Sequence, residues 1–188
     1  PYAGGYNAMA YDPVKDVIVS FGGGFNSNRT FQYEKGKWTL VSETGPEGRS
    51  AMWMVYDSAR NRMVMFGGRG ENNFNDTWSW DGSSWTQIAN TGPEPRSCFQ
   101  MVYDHHRDRV ILFGGRNDES SPEQAQFNDT WEFDGSQWQK IAITGPIPTQ
   151  REDYALVYDP VTRKVLMYGG FYWERSGISN NLADTWQY

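Results

Sequence analysis

The chain has 188 residues and a formal net charge of −6, with acidic and basic residues interspersed, so no basic stripe offsets phosphate charge and no nucleic-acid partner is expected. No apolar run approaches the ~18 residues that cross a bilayer as a helix, so no membrane insertion is expected. Cys98 is the single cysteine, which excludes a disulfide framework and a cysteine-based zinc site, while 16% aromatics and 20 glycines describe a turn-rich all-β protein. Pro1 and Tyr188 read as cut points inside a longer chain, which leaves compartment and localisation unknown.

In chain order, the first apolar run is Val17-Ile18-Val19-Ser20-Phe21, closed by Gly22-Gly23 and preceded by Tyr11-Asp12. Phe31 and Trp38 follow, seven residues apart, around Glu34-Lys35-Gly36-Lys37. The unit then recurs. Tyr56-Asp57, Met63–Phe66 and Gly67-Gly68 precede Trp78 and Trp85, which flank Asp81-Gly82. Tyr103-Asp104, Val110–Phe113 and Gly114-Gly115 precede Trp131 and Trp138, which flank Asp134-Gly135. Tyr158-Asp159, Val165–Tyr168 and Gly169-Gly170 lead to Trp186 near the end. Each Tyr lies eleven residues before the first glycine of its pair, and the copies are 45, 47 and 55 residues apart. Asp-Gly between aromatic-rich runs marks a hairpin, because those turn positions favour positive φ. Each repeat therefore predicts four short strands, A to D; in the second they fall near residues 50–56, 62–66, 76–80 and 84–89. The second strand is apolar on both faces, as expected between stacked sheets.

An apolar strand ending in Gly-Gly, then Asn75-Asp76-Thr77-Trp78 or Asn128-Asp129-Thr130-Trp131, then Trp seven residues on, resembles the kelch repeat. Ala183-Asp184-Thr185-Trp186 nearly matches it, and Thr-Gly-Pro followed by Arg49, Arg96 or Arg151 recurs before strand A. The resemblance implies an all-β, kelch-type β-propeller: four consecutive four-stranded blades, the last lacking its outer strand, as part of a larger ring. The repeats run about 1–48, 49–95, 96–150 and 151–188. Three departures stand out. Where kelch repeats often carry His three residues after the Arg, this chain has Met52, Phe99 and Tyr154. Gly4 replaces the first Arg, and Arg29-Thr30-Phe31 replaces Asp-Thr-Trp. An open arc would expose strand edges and aromatic faces, so the ring is expected to be completed by further blades of a longer chain or by another chain, with closure by four blades as the alternative.

All variation in spacing falls in the B–C and D–A connections, which emerge on one face; kelch propellers tend to bind ligands there, and loops on a rigid scaffold concentrate binding residues. Residues 116–127 are polar and acidic, and Asp118, Glu119 and Glu123 in them read as a solvated loop rather than a cation site. Phe171-Tyr172-Trp173-Glu174-Arg175 joins aromatic planes to a charge pair, a composition of interaction hot spots; Tyr172, Trp173 and Arg175 are candidate ligand-binding residues, or they pack on the neighbouring blade. Arg49, Arg96 and Arg151 would ring the same face as an anion-binding set, or form structural pairs with Asp76, Asp129 and Asp184. Arg69 and Arg116, following the glycine pairs, carry the same two readings.

No catalytic residue, cofactor or metal is assigned. His105 and His106 sit together in an A–B turn on the opposite face, away from the axial positions where copper oxidases of kelch-like fold hold His and Tyr ligands. Cys98 reads as a small buried apolar residue on strand A. Glu152 and Asp153 are the carboxylates nearest the axis, where kelch-type sugar epimerases keep acid–base groups. The leading expectation is a non-enzymatic scaffold that binds a protein partner through the B–C and D–A face. A carbohydrate-binding propeller is the alternative, and a sugar-modifying enzyme the third reading.

Overall fold

In the computed structural model, which describes residues 5–24, 27–117, 126–174 and 176–188, short strands form antiparallel sheets in series. The first sheet holds β1 (Ala8–Asp12), β2 (Val17–Phe21), β3 (Thr30–Glu34) and β4 (Lys37–Ser42). The second holds β5 (Trp53–Asp57), β6 (Arg62–Phe66), β7 (Thr77–Trp80) and β8 (Trp85–Ala89). The third holds β9 (Gln100–Asp104), β10 (Arg109–Phe113), β11 (Thr130–Phe133) and β12 (Trp138–Lys140). Each is a simple up-and-down meander, strand A innermost and strand D outermost. The fourth holds β13 (Ala155–Asp159), β14 (Lys164–Tyr168) and β17 (Thr185–Gln187), and a separate hairpin of β15 (Phe171–Trp173) and β16 (Ser179–Asn181) rises between β14 and β17. That hairpin lies where the sequence suggested only a loop. No helix among the described residues is long and apolar enough to cross a membrane.

The turn residues explain themselves locally. In the A–B turns the Asp after Tyr accepts backbone N–H bonds from within the turn, as Asp12 does from Val14 and Lys15, Asp104 from His106 and Arg107, and Asp57 from Arg60. The Tyr hydroxyl reaches the residue that closes the turn in the left-handed region, as Tyr103 does to Asp108 (φ 53°). In the C–D turns, Asp81 and Asp134 accept the N–H groups of Ser83 and Ser84, and of Ser136 and Gln137. These are side-chain turns that fix hairpin register without any long-range help.

Blades pack face to face through their apolar second strands. Phe21, Met54, Met63, Trp80 and Trp85 make the core between blades one and two. Phe66, Met101, Val110, Leu112 and Phe133 make the next, and Phe113, Tyr154 and Met167 the third. The glycine pair is required by this closeness. A Cβ on Gly114 (φ 61°) would stand 2.8 Å from the Arg151 carbonyl oxygen of the next blade, a distance no side chain tolerates.

The inner strands lie side by side in the order β1, β5, β9, β13, and β13 makes no contact with β1 among the described residues. Four blades therefore form an arc and not a closed ring, which disposes of the four-bladed alternative for this structure. Repeat-equivalent residues show the open ends. Met54 and Met101 are 3% and 1% exposed, but Met9 is 56% exposed; Phe66 and Phe113 are 0% and 4% exposed, but Tyr168 is 57% exposed.

That contrast is measurable. In urea unfolding of this chain, Phe66→Ala should cost about 3–5 kcal/mol because it empties a sealed core, whereas Tyr168→Ala should cost less than about 0.5 kcal/mol as a surface change. Equal costs would show that the fourth blade's face is covered in solution.

Candidate functional site

The site is organised by the recurring arginine. Arg49, Arg96 and Arg151 are 1%, 0% and 0% exposed. In blade three, Arg96 Nη1 donates to Asp129 Oδ1 (2.6 Å) and to the Gly114 carbonyl (2.9 Å), Nη2 to Asp129 Oδ2 (3.2 Å), and Nε to the Glu94 carbonyl (3.0 Å). Arg151 repeats this with Asp184, Gly169 and Thr149, and Arg49 with Asp76, Gly67 and Glu47. The guanidinium planes of Arg49 and Arg96 also lie over Phe74 and Phe127, at 3.7 and 3.9 Å. The Asp completes the motif by accepting the indole N–H two residues on: Trp78 to Asp76, Trp131 to Asp129, Trp186 to Asp184. Of the two sequence readings of these arginines, burial and bonding inside each blade fit the structural pair with Asp76, Asp129 and Asp184.

Two residues after each arginine the backbone turns left-handed at a non-glycine residue: Ala51 (φ 53°), Cys98 (φ 55°) and Asp153 (φ 51°), with Tyr6 (φ 67°) in the first blade. These form a collar around the axis. Ala51 N–H donates to the Tyr6 carbonyl (2.8 Å), Cys98 to Ala51 (3.0 Å) and Asp153 to Cys98 (3.4 Å). Non-glycine residues in this region are costly unless surrounding contacts impose them, and such positions cluster where function needs a fixed geometry.

Above the collar opens a funnel of about 320 Å³, lined by Tyr6, Ser50, Arg69, Ser97, Cys98, Arg116, Glu152, Asp153 and Phe171. The structure thus brings together four of the expected site residues: Arg69, Arg116, Glu152 and Asp153. Arg69 and Asp153 are exposed, Arg116 is half-buried, and Glu152 is 1% exposed. Cys98 is half-buried against this funnel and not part of a core, and burial pushes its thiol up to about 11, away from thiolate reactivity.

Glu152 is the hub of the funnel wall. Its carboxylate pairs with Arg116 (3.2 Å) and accepts from Gln126 Nε2 (2.9 Å) and Trp173 Nε1 (3.1 Å); Gln126 in turn accepts the Trp173 backbone N–H (2.8 Å). Burial raises its pKa, and the nearby Arg116 opposes that shift. This network ties β15 to the B–C connection of blade three and fixes the Trp173 ring, 41% exposed, at the funnel rim. Tyr172 is half-buried on the same strand. Sequence reasoning missed Gln126 and the hairpin; the only local hint was the β-prone Phe171-Tyr172-Trp173 triplet ahead of Ser176-Gly177. Arg175, Asp118, Glu119 and Glu123 lie outside the described residues. His105 and His106 sit in an exposed A–B turn on the opposite face. Among the described residues no group of three or more His, Cys, Asp or Glu is arranged to hold a metal ion.

Asp129 and Asp184 give the clasp a pH signature. Burial would raise Asp129, but the Arg96 guanidinium wins and holds it below the ordinary carboxylate value; Asp184 is drawn down to about 2, chiefly by its bonds to Arg151. Groups depressed in this way add stability above the ordinary Asp value and lose it as pH falls below that value. Arg96→Met should therefore cost about 3 kcal/mol at neutral pH by removing the closest partner of Asp129 and leaving it the Trp131 N–H and Lys140 at 3.6 Å. In urea titrations the gap between Asp129→Asn and the natural chain should shrink as pH drops below 4; a pH-independent gap would show that charge is irrelevant to the clasp.

Comparison with known proteins agrees with this architecture. A family model described as the KLHDC2/KLHL20/DRC7 Kelch-repeats domain matches residues 7–188. No curated protein matches the chain in sequence. Among solved structures, one titled "Structure of YjhT" superposes with a TM-score of 0.74 at 15% identity, covering 97% of this chain and 66% of that one. A fungal alcohol oxidase of the AA5 family, in complex with copper, superposes with a TM-score of 0.51 at 14% identity, covering 95% of this chain and 53% of its own. The chain thus spans less than two thirds of either structure's length, and at these identities the likeness is one of fold.

Proposed function

Because the chain belongs to the kelch-repeat propellers, we propose that it is a recognition scaffold, non-enzymatic, that binds a protein partner through the face carrying its B–C and D–A connections. The observation that carries this reading is the Trp173 rim. An indole fixed by its own N–H to buried Glu152 and by its backbone to Gln126 has little rotamer freedom left to lose, so a partner that covers it keeps most of the burial energy. Beside it, the funnel offers Arg69 and Asp153 as exposed charges of opposite sign, suited to a polar segment that projects from a protein and not to an apolar plug. We further propose that more blades, from a longer polypeptide or another chain, cover Met9 at one end and Val157 and Tyr168 at the other. The fold itself gives no ligand; that step rests on these residues.

Peptides selected on this chain from a displayed library are the test. Trp173→Ala and Arg69→Glu should each weaken a selected peptide about ten-fold or more, the loss expected for a hot-spot residue. Tyr11→Ala on the opposite face should leave its affinity unchanged. If instead no peptide is enriched and a glycan array gives binding that Trp173→Ala abolishes, the rim recognises carbohydrate and the protein-partner reading fails.

A further inference from the structure

Of the aspartates among the described residues, Asp153 alone accepts no hydrogen bond on its carboxylate and makes no salt bridge. The others cap turns, receive a tyrosine hydroxyl (Asp16, Asp108) or grip an arginine (Asp76, Asp129, Asp184). The collar does not need this charge. Ala51 and Cys98 hold the same left-handed backbone and the same N–H to carbonyl bond with neutral side chains. Asp adopts that region more readily than most residues, so an acid there costs the fold little.

The charge faces the axis and not an open flank of the arc, since Asp153 lines the funnel together with Tyr6 of blade one. Glu152, the other carboxylate of the funnel, is neutralised by Arg116 at 3.2 Å. Arg69 begins the B–C connection of blade two, with blade three between it and Asp153. A second cavity, of about 90 Å³, shares Tyr6, Ala51, Cys98 and Asp153 with the funnel and continues to Trp53 and Gln100 at the start of β5 and β9. Asp153 is the one charged residue described in its lining. The collar therefore joins two cavities at an unneutralised carboxylate.

A lone carboxylate offers too few oxygens for a hard metal ion, which takes about 6–8. It suits an ammonium or a guanidinium, which gives it charge-assisted hydrogen bonds. Tyr6 and Phe171 line the same funnel. The hydrocarbon stem of Lys or Arg packs on such rings while its head stays at the acid. We propose that the funnel selects a lysine or arginine side chain of the protein partner, with its cationic head on Asp153 and its stem along Tyr6 and Phe171. This rests on the reading of this face as a protein-binding surface, and it names the residue type that the surface selects.

The probe is a set of linear peptides enriched on this chain from a random displayed library, their affinities followed by fluorescence anisotropy. One Lys or Arg position should recur among them. Its replacement by Met should weaken binding about ten-fold or more, the worth of a hydrogen bond to a charged group. Asp153→Asn should weaken the same peptides to the same extent and leave urea unfolding unchanged, because Asn also tolerates the left-handed backbone. In Asp153→Lys the order should reverse, a peptide with Glu at that position binding more tightly than its basic parent. Peptides with no recurring basic residue, or peptides that bind the natural chain and Asp153→Asn equally, overturn this inference and leave the protein-partner reading standing. A library that enriches no peptide overturns both.

Discussion

The arrangement depends on one buried arginine in each of blades two to four and on what its main chain does as well as its side chain. Arg96 receives the Gly68 N–H of blade two on its carbonyl oxygen and gives its own N–H to Phe74 of the same blade, while its guanidinium grips Gly114 and Asp129 of blade three. Arg49 and Arg151 bridge their neighbours in the same way, through Gly23 and Ser27 and through Gly115 and Phe127. The residue is thus a node: backbone to the blade before, side chain to its own. A buried ion pair is weak evidence for stability, since desolvation offsets much of the attraction. What it provides is register. The fork fixes where strand A begins relative to strand C, and with it the distance of each blade from the axis.

From that node the positions that line the funnel and its collar follow by counting. The residue one after the arginine (Ser50, Ser97, Glu152) lines the funnel, and the residue two after it (Ala51, Cys98, Asp153) makes the collar. The residue three after it (Met52, Phe99, Tyr154) is buried between blades. A kelch blade can therefore change its first two positions freely while the node holds the backbone still. In blades two and three these positions are small and neutral at physiological pH; in blade four both are carboxylates, and that is where the long hairpin also stands. Glu152 is the reverse of the clasp aspartates. Its raised pKa means that its protonated form is favoured by folding, so its contribution is present below the ordinary Glu value and lost as pH rises through the folded value. Near neutral pH the hub holds Trp173 at some cost to stability, the pattern expected where geometry at a site outranks stability.

Much of this was legible in the sequence because it is written in short intervals. Eleven residues from Tyr to Gly-Gly and seven between aromatics are distances within a hairpin, set by strand length and turn type. The Asp-Gly and Tyr-Asp turns satisfy their own backbone locally. The Arg–Asp pairing was also readable, since both members recur together in the last three repeats and are replaced together in the first, by Gly4 and Arg29. What could not be read is what crosses between blades without repeating. Gln126 and Trp173 are 47 residues apart and meet only because two B–C connections lean together over the axis. Nothing in the spacing of Cys98 says that it faces a funnel; its left-handed φ is imposed by the collar bond to Ala51. Repetition encodes the scaffold, and the site is built from the departures.

Trp85 and Trp138, whose indole N–H groups donate to Thr30 and Thr77 of the preceding blade, give the threonine of Asp-Thr-Trp a reason of its own. Asp binds the arginine within the blade, Trp packs on and bonds to that Asp, and Thr accepts the indole of the next blade. Three adjacent residues thus couple strand C to its own blade's clasp and to its neighbour's outer strand. Fixing one blade fixes the acceptor that orders the next, so order propagates along the arc as in other nearest-neighbour repeat proteins.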